Sequence, residues 1–480
     1  MTPSRVDGRR KLSPHSKRDI QALPSGKDAS YLITGAYLLT MDETLGSLDG
    51  GDVLVEHGLV TAVGADLAQL VSPSTTVIDG RGMIVLPGFQ DAHRHCWQSQ
   101  FRRMFSDTEI TGYMKACHDL LAPAYSTDDI HLAGRLSAWG AVDAGITTVM
   151  DFMHNTRTVD YAVAGAQAFE DAGVRCVHTM GPPSKGSWDR RWPHNLAEMK
   201  ERFAGSNLVT VRLGPYGDPE LDQPTKTVSR DLIELARSMD LGITVDAVFG
   251  DRSSQLLAEL ASSDHLGPDV ALIHCNALTD NAWERIAEAD ARVILAPTSD
   301  TWLGIYDATP PIDAALSHGV RPGLSIDVEC SLSTDMFTIM RTVCTVQRMS
   351  AHRKAWAEGK AGVGITTRRI LEMATVDGAR VHGLDHVTGT ITPGKQADLI
   401  GISAEDINNL PLNDATASVV LGSDARNVKL VMVAGKILKW GRTLIGCDVD
   451  ALRLAVRESR DRLIRDSGLP ARPPSAPPRP

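Results

Sequence analysis

His93 and His95 are separated by one residue in the stretch VLPGFQDAHRHCWQ, which covers residues 85–98. In a β-strand, residues i and i+2 point to the same face, so the two imidazoles project together while Arg94 points away. Imidazole nitrogens that converge on one point are typical ligands of a transition metal. The alternative is a pair of ordinary histidines in a turn, because a bare H-x-H pattern is weak evidence in a chain with 15 His.

The composition limits the functions that these histidines can have. The chain has 480 residues, of which 42% are hydrophobic and 22% are charged, as in a globular protein with a large α/β domain and a smaller second one. The net charge of -10 offers no basic surface for nucleic acid, and no segment resembles a signal peptide or a membrane span. The seven cysteines are scattered without C-x-x-C spacing, which predicts a reducing compartment, and we expect the cytoplasm.

Apolar runs alternate with longer helical stretches through the middle of the chain. Eight such runs are each followed by a stretch that can hold a helix, as a (β/α)8 TIM-like barrel requires. Their sequences are GFQDAHRH, GITTVMDFMHN, VRCVHTMG, VTVRLGPYGD, GITVDAVFGD, VALIHCNA, ARVILAPTSD and RPGLSIDVEC. Active sites of such barrels lie where the strands end. The polar residues at or just beyond these ends are His93, His95, His154, His178, Asp246, His274, Asp300 and Asp327.

Short β-type runs flank that middle on both sides, and they predict one small β-sandwich built from N- and C-terminal segments. The predicted organisation is a disordered tail over 1–28, the β-sandwich domain over 29–86 and 388–446, the catalytic barrel over 87–387, and a C-terminal helix with a Pro-rich tail over 447–480. We expect the C-terminal helix to pack on the sheet domain or on a second subunit, and the protein to form a homo-oligomer, a dimer or larger.

The segments PGFQDAHRH, GITTVMDF, HCNALTDNAWERIA, RPGLSIDVE and TPGKQADL occur in this order between about residues 32 and 440. They resemble the amidohydrolase superfamily, within its cytosine-deaminase and chlorohydrolase-like branch. The resemblance implies one divalent metal per chain, Zn or Fe with Mn possible, bound by two histidines of strand 1, one of strand 5 and an aspartate of strand 8. A further histidine of strand 6 lies near the metal-bound water. Carried over, His93 and His95 are the strand 1 pair, His274 is the strand 6 histidine and Asp327 is the strand 8 aspartate.

Asp327 and His274 are therefore the predicted catalytic residues. Imidazole and carboxylate ligands leave one position open for water, whose pKa the cation lowers toward neutrality. Asp327 would bind the metal through one oxygen and take the proton of the attacking water with the other. His274 would orient that water or stabilise the negative charge that develops on the substrate oxygen.

The strand 5 segment GITVDAVFGD departs from the branch pattern, which is a histidine followed three residues later by a glutamate. Asp246 stands at the histidine position and Phe249 at the glutamate position. The resemblance gives that glutamate the role of a proton shuttle in deaminases, so ordinary purine or pyrimidine deamination is not expected. Either Asp246 binds a harder metal such as Fe²⁺ or Mn²⁺, or His274 becomes the third imidazole ligand.

Further residues near the strand ends are predicted to bind the substrate, directly or by supporting the residues that do. They are Trp97, Gln98, His154, Phe249, Asp300, Trp302 and Glu329. Aromatic residues after strand ends favour a pocket for an aromatic or heterocyclic small molecule. The predicted function is hydrolysis of a non-peptide C–N or related bond in such a molecule. A non-hydrolytic Lewis-acid enzyme (decarboxylation, dehydration or cyclisation) and a ligand-binding pseudoenzyme are the alternatives.

Overall fold

The computed structural model describes residues 5–6, 9–24, 29–218 and 225–469. The strands of this part of the chain are β1 (Arg5–Val6), β2 (Arg9–Arg10), β3 (Tyr31–Leu39), β4 (Ser47–Glu56), β5 (Leu59–Gly64), β6 (Thr76–Asp79), β7 (Met83–Pro87), β8 (Phe89–Arg94), β9 (Ile146–Met153), β10 (Arg175–Met180), β11 (Val209–Leu213), β12 (Gly242–Phe249), β13 (Val270–Asn276), β14 (Arg292–Leu295), β15 (Gly323–Leu324), β16 (Leu399–Ser403), β17 (Val428–Val433), β18 (Lys436–Trp440) and β19 (Thr443–Leu444). The α-helices are α1 (Ile110–Tyr113), α2 (Thr127–Asp143), α3 (Val159–Ala172), α4 (Leu196–Arg202), α5 (Arg230–Ser238), α6 (Gly250–Ser262), α7 (Asp280–Glu288), α8 (Pro297–Leu303), α9 (Ile312–Ser317), α10 (Met336–Ala357), α11 (Thr367–Met373), α12 (Val376–His382), α13 (Ala415–Ala417) and α14 (Val449–Ser467).

Strands β8 to β15 form one eight-stranded sheet in chain order. The pairings from β10 through β15 are parallel, and an isolated parallel bridge between Arg94 and Asp327 joins the two ends of the sheet. In that bridge the Asp327 N–H donates to the carbonyl of His93 at 2.9 Å, and the His95 N–H donates to the carbonyl of Asp327 at 3.2 Å. The predicted (β/α)8 barrel is confirmed.

The barrel strands are continuous apolar runs because both of their faces are covered. Every residue of β9 and of β13 is buried, a pattern typical of parallel strands inside an α/β fold. Two of the helices that follow begin at side-chain caps: the Ser229 side chain accepts from the Leu232 N–H at the start of α5, and the Thr279 side chain accepts from the Ala282 N–H at the start of α7. In a parallel barrel the carboxyl ends of the strands lie at one edge.

A second, mixed sheet combines strands from both ends of the chain, as predicted. Its strand order is β19-β18-β17-β16-β7-β3-β4-β5, with β6 also paired to β3. A hairpin joins β17 to β18, where Val433 pairs with Lys436 across a two-residue turn. Ala434 and Gly435 in that turn have φ of 45° and 76°, the left-handed geometry that two-residue hairpins use.

The chain divides into two compact units, residues 1–90, 140–148 and 335–447 in the first and residues 91–139, 149–334 and 448–480 in the second. This division differs from the predicted domain limits, since residues 335–387 fall in the first unit. Part of the reason is a hydrogen bond from Arg341 Nη1 on α10 to the carbonyl of Ser423 at 2.7 Å.

The prediction of a disordered tail over 1–28 is wrong for the described residues 5–6 and 9–24. β1 pairs with β2, and a 3₁₀ helix covers Lys17–Ala22. Leu12 is buried in the core of the mixed sheet, and its N–H donates to the carbonyl of Val77 at 2.8 Å. The rest of this prediction falls on residues 1–4, 7–8 and 25–28, and the predicted Pro-rich tail falls on residues 470–480, all outside the described residues.

The predicted C-terminal helix exists as α14; its expected place in the sheet domain is wrong, and the alternative of packing on a second subunit stays a prediction. It belongs to the second unit, where Leu463 is buried and Ser459 Oγ donates to Asp129 Oδ1 at 2.7 Å. Arg462 forms an ion pair with the same carboxylate. None of the helices in the described ranges is long and apolar enough to cross a membrane.

Candidate active site

Three of the predicted metal ligands converge where β8 ends. His93 and His95 are buried, with ring centroids 4.5 Å apart. The Nε2 atoms of both rings lie 3.1 Å from Oδ1 of Asp327, which follows β15. His93 of β8 and His95, the residue directly after the strand, point to this side, while Arg94 between them points away and pairs with Asp91 at 2.6 Å.

Asp246 of β12 and His274 of β13 complete the group. Asp246 Oδ2 lies 3.9 Å from His95 Nε2, and Asp246 Oδ1 lies 3.5 Å from His274 Nε2. His274 Nε2 is in turn 4.0 Å from Asp327 Oδ2. The five side chains therefore surround one small space at the carboxyl ends of the barrel strands.

Backbone strain accompanies this arrangement. Ala247, His274, Cys275 and Asp327 all have positive φ, at 58°, 73°, 61° and 65°. For residues with a Cβ atom this region is unfavourable, and such strain is concentrated at functional sites. In β12 the register against β13 shifts between Val245 and Val248, so the intervening residues bulge.

Hydrogen bonds behind two of the rings decide which nitrogen faces the shared space. His95 Nδ1 lies 3.0 Å from the carbonyl of Phe152, and His274 Nδ1 lies 2.8 Å from Asp300 Oδ1. Both partners can only accept, so Nδ1 carries the proton in each ring. A cation that replaces a proton at Nε2 would meet the lone pair of that nitrogen, as metal ligation requires, while Nδ1 keeps its hydrogen bond.

The residues fit a divalent cation. With the proton on Nδ1, His95 Nε2 and Asp327 Oδ1 are both acceptors, and their separation of 3.1 Å requires a proton or a cation between them. Three imidazoles and two carboxylates are suitable ligands for Zn²⁺, Fe²⁺ or Mn²⁺.

His154 is excluded from that ligand set, although it has a ring nitrogen within 4.8 Å of ligand atoms of His95 and Asp246. The indole N–H of Trp97 donates to His154 Nδ1 at 2.9 Å. A neutral imidazole whose Nδ1 accepts carries its proton on Nε2, so His154 has no second lone pair for a metal. His95, His154 and Asp246 are close enough to bind a metal together, but both ring nitrogens of His154 are already occupied, so these three do not form a metal site.

The ligand carboxylates are ionised. Burial alone would raise the pKa of Asp246, but the hydrogen bond with His274 and the nearby His93 and His95 outweigh it and lower the pKa to about 2. Burial likewise opposes ionisation of Asp327, and its contacts with His93 and His95 hold its pKa well below the usual range. Two negative charges would balance a dication, which leaves it less able to acidify water than a centre with one carboxylate.

A cavity of about 240 Å³ opens onto these side chains. The surface of its lining is mostly apolar, although many of the lining residues also carry a polar group. The lining residues are His95, Ile110, Tyr113, Met114, His118, His154, Ser184, Tyr216, Asp218, Asp246, Ala247, Phe249, His274, Leu303, Ile305, Tyr306, Asp327 and Val328. Burial lowers the pKa of His118 to about 3 and holds that of His154 well below its usual range, so both are neutral.

The sequence profile of the Amidohydrolase family matches residues 84–438. The chain belongs to the amidohydrolase family. Similar proteins include a 5'-deoxyadenosine deaminase of Methanosarcina mazei, 26% identical over 437 residues that cover 85% of this chain and 93% of that protein. A 5-methylthioadenosine/S-adenosylhomocysteine deaminase of Desulfitobacterium hafniense is 28% identical over 385 residues, 78% of this chain and 84% of that protein.

Solved structures share the fold of this amidohydrolase. A zinc-bound adenosine deaminase from Xanthomonas campestris superposes with a TM-score of 0.79 at 22% identity, over 91% of this chain and 99% of that one. A zinc complex of atrazine chlorohydrolase from Arthrobacter aurescens superposes with a TM-score of 0.75 at 20% identity, over 90% of this chain and 100% of that one.

The predicted substrate-binding residues of this amidohydrolase fall into three groups. His154 and Phe249 line the cavity. Trp97, Gln98 and Asp300 are each hydrogen-bonded to a lining residue, namely His154, Tyr113 and His274. These three hold residues that face the cavity and are not among its lining residues, which agrees with the supporting role that was one of the two predicted alternatives.

Glu329 and Trp302 form the third group, which is neither among the lining residues nor hydrogen-bonded to one of them, so their predicted part in substrate binding stays a prediction. Glu329 is fully buried and accepts from Arg102 Nε at 3.0 Å, with Arg94 Nη1 at 3.5 Å. These ion pairs explain why the carboxylate stays in the protein interior. Trp302 is 55% exposed, and its indole N–H donates to the carbonyl of Ser106, so the ring stays outside the cavity lining.

The sequence interpretation missed Tyr113, His118 and Ser184. His118 lies on a π-helical segment, Met114–Leu121, inside the long connection between β8 and α2, and not at a strand end. Its ring reaches Tyr113 Oη at 3.2 Å and Ser184 Oγ at 3.0 Å. The one available signal was the length of that connection, since long loops at the carboxyl end of a barrel often carry function.

Proposed function

We propose that this amidohydrolase is a metal-dependent hydrolase that cleaves a C–N or related bond between a heteroaromatic ring and its leaving group. The observation that carries the proposal is the convergence of three imidazoles and two ionised carboxylates at one end of a mostly apolar cavity. One divalent metal per chain, Zn or Fe with Mn possible, suits this set. The names of the relatives, which include deaminases of adenosine derivatives, support a heterocyclic substrate.

A divalent cation bound here supplies Lewis acidity and lowers the pKa of a water molecule. Asp327 is then the general base: its Oδ2 also accepts from the hydroxyl of Ser299, which fixes the plane of the carboxylate. It takes the proton of the attacking water and passes it to the leaving group. Asp300 holds His274 with Nε2 toward Asp246 and Asp327, so His274 completes the ligand set or steadies the charge that develops on the substrate.

Phe249 decides which leaving group is suited to this site. Its ring lies 5.2 Å from the ring of His274 and 5.2 Å from that of Tyr306, where it offers an apolar face and no proton. Deamination requires protonation of both a ring nitrogen and the departing amine, and the resemblance assigns this to a carboxyl group at position 249. Phe249 has no such group. We propose a leaving group that needs at most the single proton that Asp327 carries.

The cavity restricts the size of the substrate. Its volume of about 240 Å³ lies below the ~300 Å³ at which pockets for drug-sized ligands begin. Ile110, Met114, Leu303, Ile305 and Val328 supply much of the lining. One ring or two fused rings with small apolar substituents would fit, which supports an uncharged aromatic heterocycle.

The test is a leaving-group series on protein loaded separately with Zn²⁺, Fe²⁺ or Mn²⁺. Mono- and bicyclic heterocycles that carry amino, alkylamino, methylthio or chloro groups are incubated in ¹⁸O-labelled water, and products are identified by mass spectrometry. We expect one ¹⁸O atom in the product and no turnover after chelation of the metal. Turnover without ¹⁸O would establish the non-hydrolytic alternative, and ligand binding without turnover across the series would establish a pseudoenzyme.

The cytoplasm and a homo-oligomeric state remain part of the proposal. The seven cysteines, which all lie in the described ranges, form no disulfide bond there, which supports a reducing compartment. Met349 and Trp356 lie seven residues apart on α10 and are 62% and 84% exposed, which supports an apolar contact with another copy. Light scattering coupled to size-exclusion chromatography tests the oligomeric state.

A further inference from the structure

A row of polar rings leads from the metal ligands along one wall of the cavity. His154 stacks on His95 with ring centroids 3.8 Å apart and planes at 9°, and His118 follows at 4.5 Å from His154. Ser184 Oγ lies 3.0 Å from His118 Nδ1. All four residues line the cavity, whereas much of the remaining lining is apolar.

A hydrogen bond from Trp97, which is not among the lining residues, decides which ring nitrogen of His154 carries the proton. An indole nitrogen can only donate, so the contact of Trp97 Nε1 with His154 Nδ1 at 2.9 Å makes Nδ1 an acceptor. An imidazole with an accepting Nδ1 is neutral and carries its hydrogen on Nε2. His154 therefore offers the cavity a hydrogen-bond donor through Nε2.

A chain of hydrogen bonds decides whether the Ser184 hydroxyl donates to His118 or accepts from it. Cys330 Sγ donates to Gln98 Oε1 at 3.4 Å, which orients the amide so that Gln98 Nε2 donates to Tyr113 Oη at 2.6 Å. Among the contacts of the described residues, His118 Nε2 at 3.2 Å is the one acceptor within reach of the Tyr113 hydroxyl proton, so we assign the Tyr113 hydroxyl as the donor to it. His118 carries its hydrogen on Nδ1 and donates it to Ser184 Oγ. The hydroxyl proton of Ser184 is thereby left for the cavity.

We propose that His154 and Ser184 form a donor wall that recognises two hydrogen-bond acceptors on one edge of the substrate. Trp97 and the Gln98–Tyr113–His118 chain are positioning residues, because they act through the two donors. This inference rests on the proposed function, and it adds the substrate class: an uncharged heterocycle with unprotonated ring nitrogens or carbonyl oxygens on the edge beside the reacting carbon. A ring N–H or amino group at that edge would face a donor, and such a mismatch is strongly rejected by a buried site.

The first experiment measures the two tautomers directly and needs no substrate. Two-bond ¹⁵N–¹H correlation spectra of zinc-loaded protein with ¹⁵N-labelled histidine separate protonated from unprotonated ring nitrogens. We expect opposite tautomers, with the proton of His154 on Nε2 and that of His118 on Nδ1. The Trp97→Phe variant should lose the fixed tautomer of His154, while Trp302→Phe, which removes an exposed indole, should not. A proton on Nδ1 of His154 in the unsubstituted protein overturns the proposal, whether or not either variant folds.

The second experiment uses two fused-ring probes of equal size on the zinc-loaded protein. In 1,8-naphthyridine the lone pairs of both ring nitrogens point to one edge, and naphthalene has no ring nitrogen. Replacement of one donor, in Ser184→Ala, should weaken 1,8-naphthyridine binding by roughly three- to tenfold, the usual worth of one hydrogen bond. Naphthalene binding should stay unchanged in that variant. The matched control is Ser187→Ala, which alters an exposed serine of the same loop.

A third measurement separates the failure of this inference from the failure of the proposed function. His154→Gln keeps a donor at similar reach and should retain the full metal content, since His154 is not a ligand. Loss of metal in His154→Gln would overturn the assigned polarity. Equal weakening of both probes in Ser184→Ala would overturn the donor wall and leave the hydrolase proposal standing. If the tautomers and the probe selectivity are as predicted but no substrate is turned over, only the hydrolase proposal is overturned.

Discussion

β8 and β12 bring ligand side chains to the same space by different means. β8 is regular, and His95, the residue directly after it, continues the alternation, so that His93 and His95 face the same Asp327 carboxylate. β12 bulges between Val245 and Val248, and Ala247 adopts a left-handed φ of 58°. In a regular strand the two-residue alternation predicts from the sequence which side chains reach the site. In a bulged strand that alternation is interrupted, so a residue can reach the site without being predicted by it.

The largest expected effect comes from breaking β8. His93→Ala/His95→Ala removes two of three imidazoles, and we expect the variant to lose its metal and all turnover. Elemental analysis of protein purified from metal-replete medium gives the stoichiometry, which should be roughly one per chain before substitution. His131→Ala/His265→Ala, which alters two partly exposed histidines of the same unit, is the control. Full metal content in the first double variant would mean that the β12 side alone binds it.

Asp327→Asn tests the residue that faces both histidines of β8. The amide keeps one oxygen near the ligand nitrogens but removes the base, so most of the metal should remain while turnover falls by roughly 10²- to 10⁴-fold. Single-turnover kinetics and metal analysis on the same sample measure both. Asp280→Asn, at an exposed position of α7, serves as control. Near-normal turnover with bound metal would show that Asp327 is not the base and would favour a non-hydrolytic reaction.

Asp300→Asn tests the β12 and β13 side through His274. Asp300 fixes the proton of His274 on Nδ1, and loss of such a partner commonly lowers metal affinity by about 10- to 100-fold. Competition with a chromophoric chelator measures the affinity. An unchanged value would remove His274 from the ligand set and leave Asp246 as the contribution from this side.

Phe249→Glu places a carboxyl group at the end of β12 and has the smallest expected effect of these substitutions. The unsubstituted protein should not release ammonia from cytosine, guanine or adenosine at the ~10 s⁻¹ typical of enzymes. A carboxyl group at position 249 should raise that release by roughly tenfold or more, within the usual worth of a positioned acid-base group. Phe249→Gln, with the same length and no titratable group, should show no gain. Efficient ammonia release by the unsubstituted protein would show that no group at this position is needed.

The sequence alone was sufficient for the barrel, the mixed sheet and the place of the site. Eight apolar runs followed by helical stretches permit few other folds, and parallel strands bring their carboxyl ends to one edge. For that reason His93, His95, Asp246, His274 and Asp327 could be grouped although 234 positions separate the histidine of β8 from the aspartate it contacts. The N-terminal tail was misjudged, because its composition concealed the burial of Leu12.

Only the tertiary structure decided which of these residues can bind a metal and which must donate. His154 and His274 look alike in the sequence, since each is a histidine at the end of a barrel strand. The indole N–H of Trp97, 57 positions from His154, donates to His154 Nδ1, so the proton of that ring is on Nε2. Asp300 instead accepts from His274 Nδ1, which leaves Nε2 of His274 as the nitrogen that can bind a metal. The tautomer of a neutral imidazole is set by the partner of its other nitrogen, and that partner is fixed by packing and not by sequence spacing.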